Sequence, residues 1–331
     1  MPRFFIRKIV LFACLAPVLA LALQAILVRG LLKYDTSARG IWNQVIRGDV
    51  NAEILICGSS RAQTHYDAQI ITTGTGRSAF NIGRNGTHVD LQVGFLKSYL
   101  AHNRAPVCIV QNIDVFCFLT SKRVYEPGQY IPYLNEPDLF QRLVSIDPSY
   151  ARMRAFPLLG IIEYRLFLTA AGGLLGITEK EDHFYGYKPE DLVWTGDFEK
   201  YKAKNPNGVV MSVQPEGVQV FRELIEICSK ANIKLILVYS PEYREGQKLF
   251  NNRAEVLGRV REMATTAGAE FWDYSEDSIC LDRSLFYNSQ HMNRKGATLF
   301  TEKLAPRLKR ALESASTQAL SPIRGETSGG P

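Results

Sequence analysis

The sequence predicts an α/β protein with a mostly parallel sheet covered by helices on both faces. One observation predicts it, and two others mark where the pattern begins and where it breaks. Short β-rich apolar runs recur along the chain, separated by stretches of helical periodicity. A long uncharged segment precedes the first run. An aromatic-rich segment interrupts the alternation in the middle. Of the 331 residues, 46% are hydrophobic and 22% charged, which is ordinary globular composition for one large domain or two small ones.

The N-terminal segment comes first. Ile9 to Val28 is twenty residues without a charge, and Gln24 is its only strongly polar side chain. As a helix it rises about 30 Å, enough to cross the hydrocarbon core of a bilayer. Arg3, Arg7 and Lys8 precede it, so residues 1–8 are expected to be cytoplasmic and the rest exported, in the periplasm or its equivalent. The alternative is a cleaved signal peptide, for which Ala20, Ala22 and Ala25 offer small residues. The run exceeds the usual apolar region of such peptides, which favours an uncleaved transmembrane signal anchor.

The formal charge is +6, from 39 basic and 33 acidic residues. The excess is spread out, with no Lys/Arg cluster interleaved with aromatics, so no nucleic-acid partner is expected. The six cysteines show no CxxC or Cys/His ligand spacing. No metal site is expected, and the scattered thiols suit small buried hydrophobes better than a disulfide framework.

Residues 29–50 read as a connector with a short amphipathic piece around Ile41, Trp42, Val45 and Ile46. The main domain is expected over 51–313. Strands are predicted at 52–57, 107–110, 233–238 and 270–273, and helices at 90–100, 218–231, 254–268 and 296–312. Residues 121–210 are rich in Tyr, Phe, Trp, Pro and Gly. This insertion is expected to form a cap, the alternative being extra packed helices with no substrate role. Its apolar piece, 156–177, is interrupted by Glu163 and Arg165, which disfavours a second membrane span. The tail from 314 to 331 is small and polar and is expected to be disordered.

Two short motifs carry candidate chemistry. Gly58-Ser59-Ser60-Arg61 follows the first strand, where a tight turn into a helix can present the Ser60 hydroxyl at the sheet's carboxyl edge. Asn288-Ser289-Gln290-His291-Met292-Asn293 precedes the last helix, and His291 there is a candidate base for a distant Ser. Each motif alone is weak: a Ser pair in a turn and a His in a capping loop are both common. His65, five residues after Ser60, either reaches the same mouth or is structural.

Taken together, the motifs resemble the first and last sequence blocks of the SGNH (GDSL-type) hydrolases and acyltransferases. Asn81-Ile82-Gly83-Arg84-Asn85-Gly86-Thr87 resembles the second block, and Gln111-Asn112-Ile113-Asp114 falls where the third belongs. The resemblance covers residues 52–312 apart from the insertion. It implies a three-layer α/β sandwich of SGNH/flavodoxin-like form, with Ser60 as nucleophile and His291 as base. An oxyanion hole would come from Ser60 and Gly86, with Asn112 as a second-donor candidate. The flavour is that of the anchored extracytoplasmic proteins of teichoic-acid D-alanyl transfer and alginate O-acetylation. The α/β-hydrolase elbow, which Gly58-x-Ser60-x-Ala62 loosely resembles, follows several strands of an established sheet, whereas Ser60 follows the first.

Two departures stand out. The family's last block has Asp three residues before the His, and here that position is Asn288. Asp282 is the alternative orienting acid; without it the site is a Ser–His dyad or inactive. The third block lacks its Gly and carries Ile113 at the usual Asn position. The expected function is a serine esterase or O-acyltransferase acting on acyl groups of cell-surface or exported polysaccharide, with no metal or organic cofactor. Its expected partners are the polysaccharide or acyl donor, the membrane through the N-terminal helix, and other envelope polymer assembly proteins. The alternative is a non-catalytic binding or scaffold subunit of such an assembly machine.

Overall fold

The computed structural model describes residues 3–35, 37–177 and 182–319. Helix α1 (Arg3–Leu31) leads into α2 (Ala38–Arg47). Ser37 caps α2 by accepting from the Gly40 N–H, and Gly48 closes it in the left-handed region at φ 78°. Alternation then begins: β1 (Ile54–Cys57), α3 (Ser60–His65), α4 (Ala68–Thr75), β2 (Ala79–Asn81), α5 (Val89–His102) and β3 (Cys108–Asn112). The insertion supplies α6 (Pro137–Ile146), α7 (Ser149–Ala155), α8 (Leu159–Glu163), α9 (Phe167–Leu174) and α10 (Asp197–Lys204). The alternation resumes with α11 (Pro215–Lys230), β4 (Lys234–Tyr239), α12 (Arg244–Gln247), α13 (Arg253–Thr266), β5 (Glu270–Asp273) and α14 (Arg294–Ala319).

The five strands form one parallel sheet in the order β2-β1-β3-β4-β5. Successive strand residues feed opposite cores, as the period-2 alternation of a strand requires. Leu55, Ile109, Leu235 and Leu237 pack toward α2, α5, α11 and α13. Ile54, Ile56, Cys108, Val110, Ile236 and Val238 pack toward α3, α4 and α14. Both faces are covered, which is why the strands read as continuous apolar runs. The chain leaves β1 for β2 on one side and returns to β3 on the other. Strand order therefore reverses between β1 and β3, the position where open α/β sheets hold ligands beyond their carboxyl ends.

Several expectations shift. The three-residue β2 has no long apolar run and was not predicted. The connector is part of the core, with Trp42 1% exposed and its ring 4.0 Å from that of Phe95. Helix α14 continues past Leu312 to Ala319, running on from a helix docked through Phe300, Leu304, Leu308 and Leu312. Residues 320–331 of the expected disordered tail lie outside the described residues. Among the described residues, α1 alone is long and apolar enough to cross a membrane. The apolar piece at 156–177 is instead broken into α8 and α9 at Arg165, whose φ is 52°. All five cysteines beyond α1 are free and buried.

The insertion divides in two. Helix α6 packs on α5, and α9 packs on α1. The later stretch runs along the edge of the sheet instead: Tyr185 O accepts from Asn81 N–H, Gln63 O from Lys188 N–H, and Tyr287 O from Thr195 N–H.

Candidate active site

The turn after β1 is shaped by Gly58, at φ 141°. A Cβ there would stand 2.9 Å from the Ala62 Cβ and 3.0 Å from the Asn112 Cβ, so only glycine lets the turn close on β3. Ser59 is the N-cap of α3, its Oγ accepting from the Arg61 N–H at 3.3 Å. Ser60 is thus the first helical residue. Its own N–H is one of the first-turn donors that have no intrahelical acceptor. Its side chain is half-buried, and its Oγ lies 2.7 Å from His291 Nε2.

His291 Nδ1 lies 2.9 Å from Asn288 Oδ1. The same oxygen accepts from the backbone N–H groups of Gln290 at 3.0 Å and His291 at 2.9 Å. Those two donors fix which end of the amide faces the ring, because only oxygen can accept from them. His291 Nδ1 must then carry the proton and donate to Oδ1, leaving Nε2 as the acceptor for the Ser60 hydroxyl. The Tyr287 ring stacks on His291 at 5.3 Å and 14°. Burial, with the nearby Arg61 charge adding to it, lowers the His291 pKa from 6.5 to about 3, so the ring is neutral at ordinary pH.

Beneath this pair lies a buried polar network. Arg61 is 1% exposed. It pairs with Glu242 at 2.9 Å and Asp114 at 3.3 Å, and donates to Ser240 O at 2.5 Å and Ile113 O at 3.1 Å. Burial pushes both carboxylates up, with Arg61 opposing it.

His65 is fully buried and does not reach the mouth. Its Nε2 accepts from the Met292 N–H at 2.9 Å, so its Nδ1 donates to Ser240 Oγ at 2.8 Å. Ser240 Oγ in turn donates to Asn112 Oδ1 at 2.8 Å. This chain ties the end of β4 to the residue after His291. Burial, then the charge on Arg61, holds the His65 pKa well below 6.5.

Two sequence expectations are corrected. Asn112 is 1% exposed, with Oδ1 accepting from Tyr66 and Ser240 and Nδ2 donating to Asp114 at 3.2 Å. Its amide is committed at both ends within the core, so it is a structural tie and not a second oxyanion donor. Asp282 is not the orienting acid. Its Oδ1 caps the short turn Arg283–Leu285, accepting from the Ser284 N–H at 2.9 Å and Oγ at 2.7 Å, and those bonds hold its carboxyl low.

Gly86 lies on the exposed loop between β2 and α5, at φ 69°. A Cβ there would stand 2.4 Å from the Tyr125 side chain. The loop is tied to the Ser60 turn, since Arg84 N–H donates to Gly58 O at 3.0 Å. Its Gly83 packs so closely on α3 that a Cβ would stand 2.6 Å from Ala62 Cβ.

Sequence reasoning missed Glu242, Ser240 and the role of Arg61. Ser240 and Glu242 directly follow β4, so position at a strand's carboxyl end was the available signal. A cleft of about 400 Å³ adjoins the site through Asn288 and is lined by His88, Phe116, Phe198, Tyr201 and Phe250. A larger groove of about 620 Å³ runs between α11 and α13 and shares no residue with the site.

These features define an α/β protein with a parallel five-stranded sheet and a Ser–His–Asn arrangement at its carboxyl edge. No family model matches the chain, and no curated protein matches it. Among solved structures it is similar to a Bacteroides fragilis NCTC 9343 protein provisionally named an acylhydrolase. The identity is 10% and the TM-score 0.36, over 79% of this chain and 86% of that one. A likeness that slight carries no argument, and the reading below rests on the site itself.

Proposed function

We propose that the protein is a serine esterase or O-acyltransferase of SGNH type, acting on acyl groups of a cell-surface or exported polysaccharide. The observation that carries this reading is the Ser60–His291–Asn288 relay with its tautomer set for base catalysis. Ser60 Oγ bonds to the acyl carbonyl carbon while its proton passes to His291 Nε2. The carbonyl oxygen takes the negative charge and accepts from the N–H groups of Ser60 and Gly86, aided by the N-terminus of α3. Nε2–H then protonates the departing alcohol, leaving an acyl-Ser60 ester. Water or a sugar hydroxyl gives its proton to Nε2, attacks that ester and releases Ser60.

The aromatic side chains around the neighbouring cleft suit a sugar ring, and the insertion over 121–210 serves as its cap, contributing Phe198 and Tyr201 to the lining. Helix α1 anchors the chain with residues 1–8 inside and the domain outside, within reach of envelope polymer and its assembly proteins. The second reading, a non-catalytic scaffold, is favoured by one feature: Asn288 cannot offset imidazolium charge as a carboxylate does.

The test uses the full chain with a small acetyl ester and a serine-reactive phosphonate. Labelling and hydrolysis that both vanish in Ser60→Ala support the enzyme. No labelling and no turnover in the wild type and in Asn288→Asp would leave the scaffold. A reporter fused after Pro331 that is active only in the cytoplasm would reject the topology.

A further inference from the structure

Beside α1 the molecule carries an apolar surface that belongs to neither core. Phe156, Ile162, Leu168, Leu175 and Ile177 are exposed, Leu168 at 86% and Leu175 at 78%. They come from α8, α9 and the turns around them. Helix α9 lies against α1 backbone to backbone. A Cβ on Gly30 would stand 2.0 Å from Ala170 O, and one on Gly173 would stand 1.9 Å from Gly30 O. The Tyr34 hydroxyl donates to Thr169 O at 2.6 Å.

A further bond sets the depth of this surface. The Leu158 N–H donates to Gln24 Oε1 at 2.5 Å. Gln24 lies four residues inside the Ile9–Val28 run, roughly 6 Å along the helix at about 1.5 Å per residue. The segment beginning at Leu158 is therefore level with the end of the apolar run and not above it. The bond also gives a partner to the carbonyl oxygen of the only strongly polar side chain of that run, and small residues permit the close approach of α9, as in helix pairs within lipid. Several large exposed apolar side chains on one short segment that packs on a membrane-length helix mark a lipid contact more readily than a water-facing surface. Arg152, Arg154 and Arg165 are exposed in or just before this segment, against the single exposed carboxylate Glu163, a cationic balance that suits headgroup phosphates.

We infer that residues 156–177 form a second, non-spanning membrane contact, with α8 and α9 dipping beside α1 into the leaflet nearest the folded domain. The inference rests on the reading of α1 as a bilayer anchor. Helix α9 has eight residues and rises about 12 Å, too short to cross. Lipid acyl chains cover Leu168 and Leu175, and two attachments in place of one fix the tilt of the domain on the membrane.

The test places single tryptophans at exposed positions of the full chain, reconstituted in phosphatidylcholine vesicles whose acyl chains carry bromines near the glycerol end, near the methyl end to reach the bilayer centre, or not at all. Leu168→Trp and Leu175→Trp probe the segment, Leu19→Trp probes α1, and Val210→Trp is the aqueous control. The native fluorescence of Trp42, Trp194 and Trp272 is subtracted as the wild-type baseline. The inference predicts that bromolipid removes most of the fluorescence added at 168 and 175 and none of that added at 210. Quenching at 19 with none at 168 and 175 overturns the second contact and leaves the anchor standing, with another protein as the cover. No quenching at 19 overturns both.

Discussion

Ser60 and Arg61 are neighbours in the chain that meet opposite physical requirements. Ser60 sits half-exposed at the mouth, its hydroxyl paired only with a neutral imidazole and its backbone N–H open at a helix start. Arg61 points the other way, into the core, with two carboxylates, two carbonyls and a hydroxyl around it. The reactive layer is held by few bonds and the layer beneath by many. A buried charge is tolerable only when its partners surround it, whereas a nucleophile must keep a lone pair and an approach path free. The lesson is a division of labour: the network under the site holds three strand ends and the His291 loop in register, so the reactive atoms need few bonds of their own.

Breaking the upper layer should cost chemistry without stability. Ser60→Ala and His291→Ala are each expected to lower ester turnover by about 10⁴-fold or more, by comparison with serine triads. Their melting temperatures should stay within a few degrees of wild type. Calorimetry beside an esterase assay checks both halves of that statement.

Breaking the lower layer should do the reverse. Arg61→Met strands Asp114 and Glu242 without a counter-charge, and a loss of about 3–5 kcal/mol in denaturant unfolding is expected. A variant as stable as wild type would show that neither carboxylate depends on the Arg61 charge in the folded protein.

Asn288→Asp sharpens the comparison further. The amide already holds the productive tautomer, so the carboxylate adds only charge. A gain of about 10- to 100-fold in turnover is expected, since an adjacent carboxylate raises a His pKa by about one to three units. A gain near the triad value of about 10⁴ would mean that the amide nitrogen, and not Oδ1, faces the ring in solution. Asp282→Asn should leave turnover unchanged, because that carboxylate caps its own turn.

The smallest effect is in pH. His291 has a folded pKa of about 3 against an ordinary 6.5, so its base form persists in acid. Turnover should stay level from pH 7 down to about pH 5, where an unperturbed His base would already fall off. Stability moves the other way. The unfolded chain binds protons at His65 and His291 below 6.5 and the folded one does not, so stability should decline as pH drops from 6.5 toward about 5. The raised carboxylates Asp114 and Glu242 oppose this trend, because the folded chain takes up their protons at a pH above the range where unfolded carboxylates titrate. Urea titrations at pH 7 and pH 5, compared with His65→Gln, isolate the His contribution.

Much of this protein was legible in its sequence. Four of the five strands and their covering helices announce themselves by apolar runs and helical spacing, because burial on both faces leaves few polar positions in a central strand. Strand β2 was silent, since three residues carry no periodicity. Ser60, His291 and Asn288 were readable from their local motifs, and their placement follows from parallel strands ending on one edge. Tertiary structure decided the rest. Which end of the Asn288 amide meets the ring depends on two backbone N–H groups in a folded loop. The commitment of Asn112 to the core and the pairing of Arg61 with Glu242 depend on strand order. So does the close seat of α9 on α1, which turns an apolar stretch into a surface. Local pattern determines what a segment becomes, but the partner of a polar atom is chosen by chain neighbours distant in sequence, and no periodicity records them.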